Sequence, residues 1–210
     1  MLTKIKICGL TRLCDIEAVN AAKPEYIGFV FAESRRRITP EQAAELRAKL
    51  SPDIIPVGVF VNETPDNISS LVNAGIIGAV QLHGDENEAY IAKLKALTDK
   101  PIIKAVSVLK SGDLQKWADT CADCLLLDNK GGGSGQPFDW DLIGEVKKPF
   151  FLAGGLTIEN IGAAIMKTNP FAVDISSGVE TNGLKDNEKI MSIIRKIRNI
   201  SYTQNRNAYI

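Results

Sequence analysis

Eight short apolar runs recur along the chain at fairly regular intervals, over residues 5–8, 26–31, 55–61, 79–83, 102–108, 124–128, 150–153 and 171–175. Each is continuous rather than alternating and rich in Val, Ile or Phe. That is the pattern of parallel strands covered on both faces. Helical signals lie between them. Thr39-Pro40-Glu41-Gln42 supplies an N-cap, a proline at the first helical position and a Gln able to close a capping box. Thr64-Pro65-Asp66 repeats the cap and proline, and Gly75 is a natural stop. Tyr90, Ile91 and Leu94 line one helical face, as do Ile158, Ile161 and Ile165 in the segment opened by Thr157. Ile190, Ile193, Ile194 and Ile197 do the same in the last helix.

Eight strands, each followed by a helix, are the number that closes a (β/α)8 barrel, and 210 residues lie at the short end for that fold. A doubly wound open sheet is the alternative. No Pro/Ser-rich linker or shift in composition marks a second domain. The sequence therefore predicts one α/β catalytic barrel over residues 1–200 and a polar tail over 201–210.

Charge narrows the partners. Lys plus Arg number 25 and Asp plus Glu number 25, so there is no positive excess to hold nucleic acid or an acidic membrane. A small-molecule or protein partner is favoured. The apolar start is too short and broken for a signal peptide, and no window is long enough to span a membrane. The cysteines at 8, 14, 121 and 124 do not make a disulfide scaffold, so the expected location is cytoplasmic. Cys121 and Cys124 form a C-x-x-C, but no second pair exists and His83 is the single histidine. They are read with Cys14 as packing residues, and no metal is expected.

In a barrel of this kind the site is built at the C-terminal ends of the strands. That rule selects Cys8, the arginines 35, 36 and 37, His83, Asp128, the loop 131–135, Gly154-Gly155 and the stretch 174–178. In "FFLAGGLT" and "VDISSGVE" small residues let backbone N–H groups approach an oxyanion, and barrels frequently hold phosphate between these two loops. Tight strand-to-helix turns are the plainer reading of the same glycines. Of three consecutive arginines only one is expected to enter the mouth, where it offers a fork to a carboxylate; Arg35 and Arg37 read as a solvated face. "DNKGGGSGQPFDW" lacks the Walker spacing and reads as a lid. His83 is either a hydrogen-bonded structural group or a supporting one. Cys8 and Asp128 end strands one and six. A thiol and a carboxyl facing one pocket divide base and acid if their surroundings push their pKa values apart. Cys8 then needs its pKa lowered by positive charge or polar surroundings, and Asp128 needs its pKa raised by burial. Otherwise Cys8 is a small buried hydrophobe.

Seven stretches, "KICGLT", "GFVF" followed by "SRRRI", "VGVFVN", "VQLHG", "LLLD" with "GGSGQPFDW", "LAGGLTIENI" and "FAVDISSGVE", together resemble the phosphoribosylanthranilate isomerase family. They cover nearly the whole chain in the family's order. The resemblance implies an Amadori rearrangement of N-(5-phospho-β-D-ribosyl)anthranilate to 1-(2-carboxyphenylamino)-1-deoxy-D-ribulose 5-phosphate, a step of tryptophan biosynthesis. By the same carry-over Asp128 is the general acid at the furanose ring oxygen and Cys8 the base at C2. Arg36 holds the anthranilate carboxylate, and Gly154, Gly155, Ser176 and Ser177 hold the phosphate. Asp174 and His83 are supporting residues. The iminium nitrogen is the electron sink, so no cofactor is implied. The partner is a phosphorylated small molecule, and the chain is expected to be a monomer or homodimer. One departure is a short loop between Asp128 and "GGSGQPFDW". The alternatives are a related aminoaldose-phosphate isomerase of histidine biosynthesis, which usually carries Asp where Cys8 stands, and a catalytically silent phosphate-binding barrel.

Overall fold

All eight apolar runs are strands, and they pair in sequence order into a closed parallel barrel. The structure is a computed structural model that describes residues 2–128 and 139–207. The strands are β1 (Lys4–Cys8), β2 (Tyr26–Val30), β3 (Ile55–Phe60), β4 (Ala79–Leu82), β5 (Ile102–Ser107), β6 (Cys124–Asp128), β7 (Phe150–Leu152) and β8 (Ala172–Ile175). Pairing of β1 with β8, from Lys4 opposite Ala172 to Ile7 opposite Ile175, closes the barrel and excludes the open sheet.

The helices follow their sequence signals where the caps are strong. They are α1 (Leu13–Ala22), α2 (Pro40–Arg47), α3 (Pro65–Asn73), α4 (Glu88–Lys95), α5 (Ile161–Thr168) and α6 (Asn187–Asn207). At α2 the capping box is reciprocal: Gln42 N donates to Thr39 Oγ1 at 3.2 Å, and Thr39 N donates to Gln42 Oε1 at 2.9 Å. Thr64 and Asn87 cap α3 and α4.

Three features go beyond those signals. First, not every strand is followed by an α-helix. Between β5 and β6 there is only a 3-10 turn over Gln115–Trp117, and after β6 the described residues hold another over Trp140–Leu142. Gly112, at φ +93°, breaks the first of these segments. Leu114 and Trp117 are then the side chains that dock it. Second, α6 runs beyond residue 200 to Asn207, into the stretch assigned to a polar tail. Third, a small hairpin of β9 (Glu180–Thr181) and β10 (Leu184–Lys185) precedes α6. Its turn uses Asn182 and Gly183, both at positive φ, a backbone that Asn-Gly adopts at low cost.

Strand alternation sorts side chains into two layers. Ile5, Ile7, Ile27 and Phe29 point outward and pack beneath the helices. Val57, Ala79, Ile103, Leu126, Phe151 and Ala172 point inward and fill the barrel. Fully burying an aliphatic side chain stabilises by about 1.5–3 kcal/mol, so both layers hold the strand ends in place. The same alternation puts Lys6 and Cys8, Gln81 and His83, Asp128, Asp174 and Ser176 on the inner face, nearest the C-terminal mouth.

Candidate active site

Cys8, Arg36, His83, Asp128, Gly154, Gly155, Asp174, Ser176 and Ser177 all line one cavity at the C-terminal mouth. Arg35 and Arg37 do not. The loop 131–135 and the lid reading lie outside the described residues.

Cys8 is the buried last residue of β1, and glycines make the room it needs. Gly28 stands opposite it in the β1–β2 register, and a Cβ there would lie 2.5 Å from Cys8 Sγ. Gly9 follows at φ +83°, where a Cβ would lie 2.4 Å from Arg36 Cδ. Gly9 therefore both turns the chain and admits the arginine stem. Ser176 Oγ donates to the Cys8 carbonyl at 3.0 Å. Burial pushes the thiol pKa up, against the pull of the Lys6 and Lys185 ammonium groups. The lowered thiol pKa asked of this site is thus not what the resting pocket supplies: desolvation outweighs the two cations. Gly28→Ala should displace the thiol. We expect a stability loss of about 1–3 kcal/mol and a kcat loss on the order of a hundredfold, read by thermal melting beside steady-state rates. Unchanged turnover would mean that the thiol position does not matter.

A row of polar side chains crosses the barrel beneath this cavity. Asp174 accepts from Lys6 Nζ at 2.9 Å, and Lys6 Nζ also donates to Gln81 Oε1 at 2.8 Å. Gln81 Nε2 lies 2.8 Å from His83 Nδ1. His83 Nε2 lies 3.7 Å from Asp128 Oδ2, at the end of β6. Lys6 is fully buried. Among the described residues, Asp174 Oδ1 is a buried acceptor without a hydrogen-bond partner.

The three arginines differ in direction. Arg35 and Arg37 side chains are 57% and 58% exposed, whereas Arg36 is 14% exposed. Arg36 is gripped by Glu180 of the β9–β10 hairpin, Nε donating to Oε1 at 2.6 Å and Nη2 to Oε2 at 3.0 Å. Lys185 adds a bond of 2.7 Å to Glu180 and one of 2.9 Å to the Ser176 carbonyl. Burial alone would raise the Glu180 carboxyl, but Arg36 and Lys185 hold it below the usual carboxylate range. Sequence reasoning missed Glu180 and Lys185, together with Lys6 and Gln81. The Asn182-Gly183 pair is a hairpin signal that could have pointed to the first two. Lys6, a charge inside an apolar strand run and two residues before Cys8, could have pointed to the floor.

The loops after β7 and β8 touch at Gly178, where a Cβ would lie 1.9 Å from the Leu156 carbonyl oxygen. Gly154 and Gly155 sit at φ +82° and +60°. Asn160 Nδ2 donates to the Gly155 carbonyl at 2.9 Å and fixes the turn. Ser176 spends its hydroxyl proton on Cys8, so a phosphate there would rely on backbone N–H groups and on Ser177. Among the described residues no three His, Cys, Asp or Glu side chains are grouped to hold a metal ion, and no helix is long and apolar enough to cross a membrane.

Comparison with known proteins gives a consistent picture. The family model described as N-(5'phosphoribosyl)anthranilate (PRA) isomerase matches residues 5–196. The N-(5'-phosphoribosyl)anthranilate isomerase of Endomicrobium trichonymphae is 49% identical over 203 residues, covering 95% of this chain and 100% of the relative. The crystal structure of phosphoribosyl anthranilate isomerase from Thermotoga maritima is 36% identical with a TM-score of 0.86, covering 94% of this chain and 99% of that one. A further structure of such an isomerase, 35% identical with a TM-score of 0.81, was solved in complex with reduced 1-(O-carboxyphenylamino)-1-deoxyribulose 5-phosphate. It covers 94% of this chain and 99% of that one.

Proposed function

Since the chain belongs to the N-(5'-phosphoribosyl)anthranilate isomerase family, we propose how the residues of its mouth divide that rearrangement: Asp128 as acid, Cys8 as base, Arg36 and the glycine loops as grips. The chain is an isomerase of tryptophan biosynthesis that converts N-(5'-phosphoribosyl)anthranilate to the aminodeoxyribulose phosphate. The observation that carries the division is that Cys8 and Asp128, from strands β1 and β6, line one cavity between Arg36 and the β7–β8 loops.

The phosphate lies against Gly154, Gly155, Ser176 and Ser177, and the anthranilate carboxylate against Arg36. The ribose then spans the floor. Asp128 in its acid form donates a proton to the furanose ring oxygen as the C1–O bond breaks, and the aniline nitrogen lone pair forms the iminium. Cys8 as thiolate takes the proton from C2, and the C–H electrons flow toward the iminium nitrogen. The enolamine gains a proton at C1 and loses one from its C2 hydroxyl to give the ketone. Atoms and electrons balance within the one molecule. Asp174 Oδ1, buried and unpartnered among the described residues, is an acceptor placed for a sugar hydroxyl.

Arg36 keeps its second edge for substrate. With Nε and one Nη2 hydrogen given to Glu180, Nη1 and the other Nη2 hydrogen remain as a fork. Arg36→Ala should raise KM roughly ten- to a hundredfold with kcat nearly kept, the loss of a charge-assisted grip. Arg37→Ala should stay within about twofold, as an exposed charge does, and Arg35→Ala, whose exposed side chain shares Glu180 with Arg36 at 2.6 Å, should raise KM well short of Arg36→Ala. Equal damage from either would move the carboxylate site. The reading as a whole is tested by adding fresh phosphoribosylanthranilate to purified protein and following loss of its fluorescence; absence of turnover overturns it.

A further inference from the structure

The floor of the mouth carries more polar machinery than an acid and a base require. Two buried lysines, three carboxylates and an amide surround a single imidazole. Lys6 is an ammonium: burial, the largest single influence, would lower its pKa, but Asp174 and Cys8 together outweigh it and hold the group above the ordinary lysine value. An ammonium only donates, so Gln81 must turn its carbonyl oxygen to Lys6 and its NH2 to His83. An NH2 also only donates, so His83 Nδ1 must accept and carries no proton. The ring proton of the neutral imidazole is then on Nε2, the nitrogen that faces Asp128 Oδ2 at 3.7 Å.

The ring is held from its backbone side as well. His83 N donates to the Phe60 carbonyl at 2.8 Å. The buried Lys104–Glu86 pair, 2.8 Å apart, staples the loop that follows, with Glu86 accepting from Gly84 N and Asn62 N. The charges around His83 come from β1 (Lys6), β5 (Lys104), β6 (Asp128), β8 (Asp174) and the loop after β4 (Glu86). Burial and Lys6, with Lys104, hold the imidazole below its ordinary value against Asp174 and Glu86.

We propose that His83 is a positioning residue, locked as the Nε2–H tautomer by Gln81 and Lys6, whose N–H donates to Asp128 as that group gives up its proton. The inference rests on Asp128 being the acid. At 3.7 Å the resting contact is longer than a hydrogen bond. A neutral donor at that range leaves the acid form of Asp128 undisturbed. As the carboxylate develops, the contact shortens and strengthens, because bonds to a charged acceptor are worth more than bonds to a neutral one. The acid is thereby made stronger in the transition state than in the ground state, which is the condition for raising kcat.

The chain's single histidine makes the test clean. With 15N-labelled histidine in the full-length protein, both ring nitrogens are read without overlap. The expected spectrum has a protonated Nε2 and a bare Nδ1 from about pH 7 to 8. Gln81→Glu, isosteric and still paired with Lys6, presents only acceptors and should move the proton to Nδ1. It should also lower kcat with little change in KM. His83→Leu should lower kcat about ten- to a hundredfold, the cost of a bond to a charged group. It should also shift to higher pH the limb set by ionisation of the acid, because the carboxylate has lost a donor. His83→Gln, which restores an N–H near the Nε2 position, should recover part of both. A protonated Nδ1 in the wild type, an imidazolium across that range, or a tautomer unmoved by Gln81→Glu overturns the proposal. So does a His83→Leu profile with no shifted limb. The nitrogen spectra do not depend on turnover. If Asp128→Asn retains full kcat while the Nε2–H tautomer stands, it is the acid assignment that has failed.

Discussion

Asp128→Asn should lower kcat by about 10²- to 10⁴-fold, or roughly 3–5 kcal/mol of transition-state free energy, with KM close to its original value. The amide has the carboxyl's shape, so the end of β6 and its surroundings keep their packing, but it has no proton to transfer to the ring oxygen. Without that proton the sugar oxygen must leave as an alkoxide. The damage should fall on kcat because the proposed substrate grips, Arg36 and the β7–β8 loops, lie elsewhere. Steady-state rates at saturating substrate measure it directly, with a melting curve as control for folding. Retained kcat would remove Asp128 from the mechanism.

The second large effect is at Cys8. Cys8→Ser should reduce kcat by more than about a hundredfold, since a hydroxyl in the same buried place is a far weaker acid than a thiol and is almost never ionised as a base. The pH dependence of the unmodified protein follows from the direction of the thiol shift. A base works only when deprotonated. Burial pushes the Cys8 pKa above the ordinary thiol value, so the limb of the kcat/KM profile set by the thiol should lie in the alkaline range. The sign is opposite to that of the acid, whose ionisation ends activity as pH rises. Cys8→Asp supplies a carboxylate in place of the thiol, so its profile should lose that alkaline limb. A profile with no limb above the ordinary thiol value, or a Cys8→Ser enzyme with full activity, would sink the assignment.

Both residues were visible in the sequence because of where they stand. Cys8 and Asp128 close apolar runs, and a parallel barrel carries its chemistry at those ends. Gly154-Gly155 and the serines at 176 and 177 follow the seventh and eighth runs, where such barrels hold phosphate. The helices were legible where caps announced them, at Thr39 and Thr64. They were over-read after β5, where Gly112 interrupts the segment and a 3-10 turn suffices.

The partners of these residues were hidden. Lys6 and Asp174 are 168 positions apart in the chain, and Lys6 and Gln81 are 75 apart. Glu180, which fixes Arg36, is separated from it by 144 positions. No local pattern marks a contact between strands that meet only when the barrel closes. The choice among arginines 35, 36 and 37 was open for the same reason: three neighbouring side chains differ in direction, not in chemistry.

Periodicity and strand-end position alone determined the barrel, the location of its mouth and the roster of residues facing it, because the two-residue alternation of a strand and the parallel arrangement convert chain position into a face and an end. Closure of the barrel decided the rest. It set which arginine turns inward, which nitrogen of His83 carries the proton and in which direction burial moves the Cys8 thiol. Each of these depends on distances and charges contributed by other strands, and those distances exist only once β1 has paired with β8.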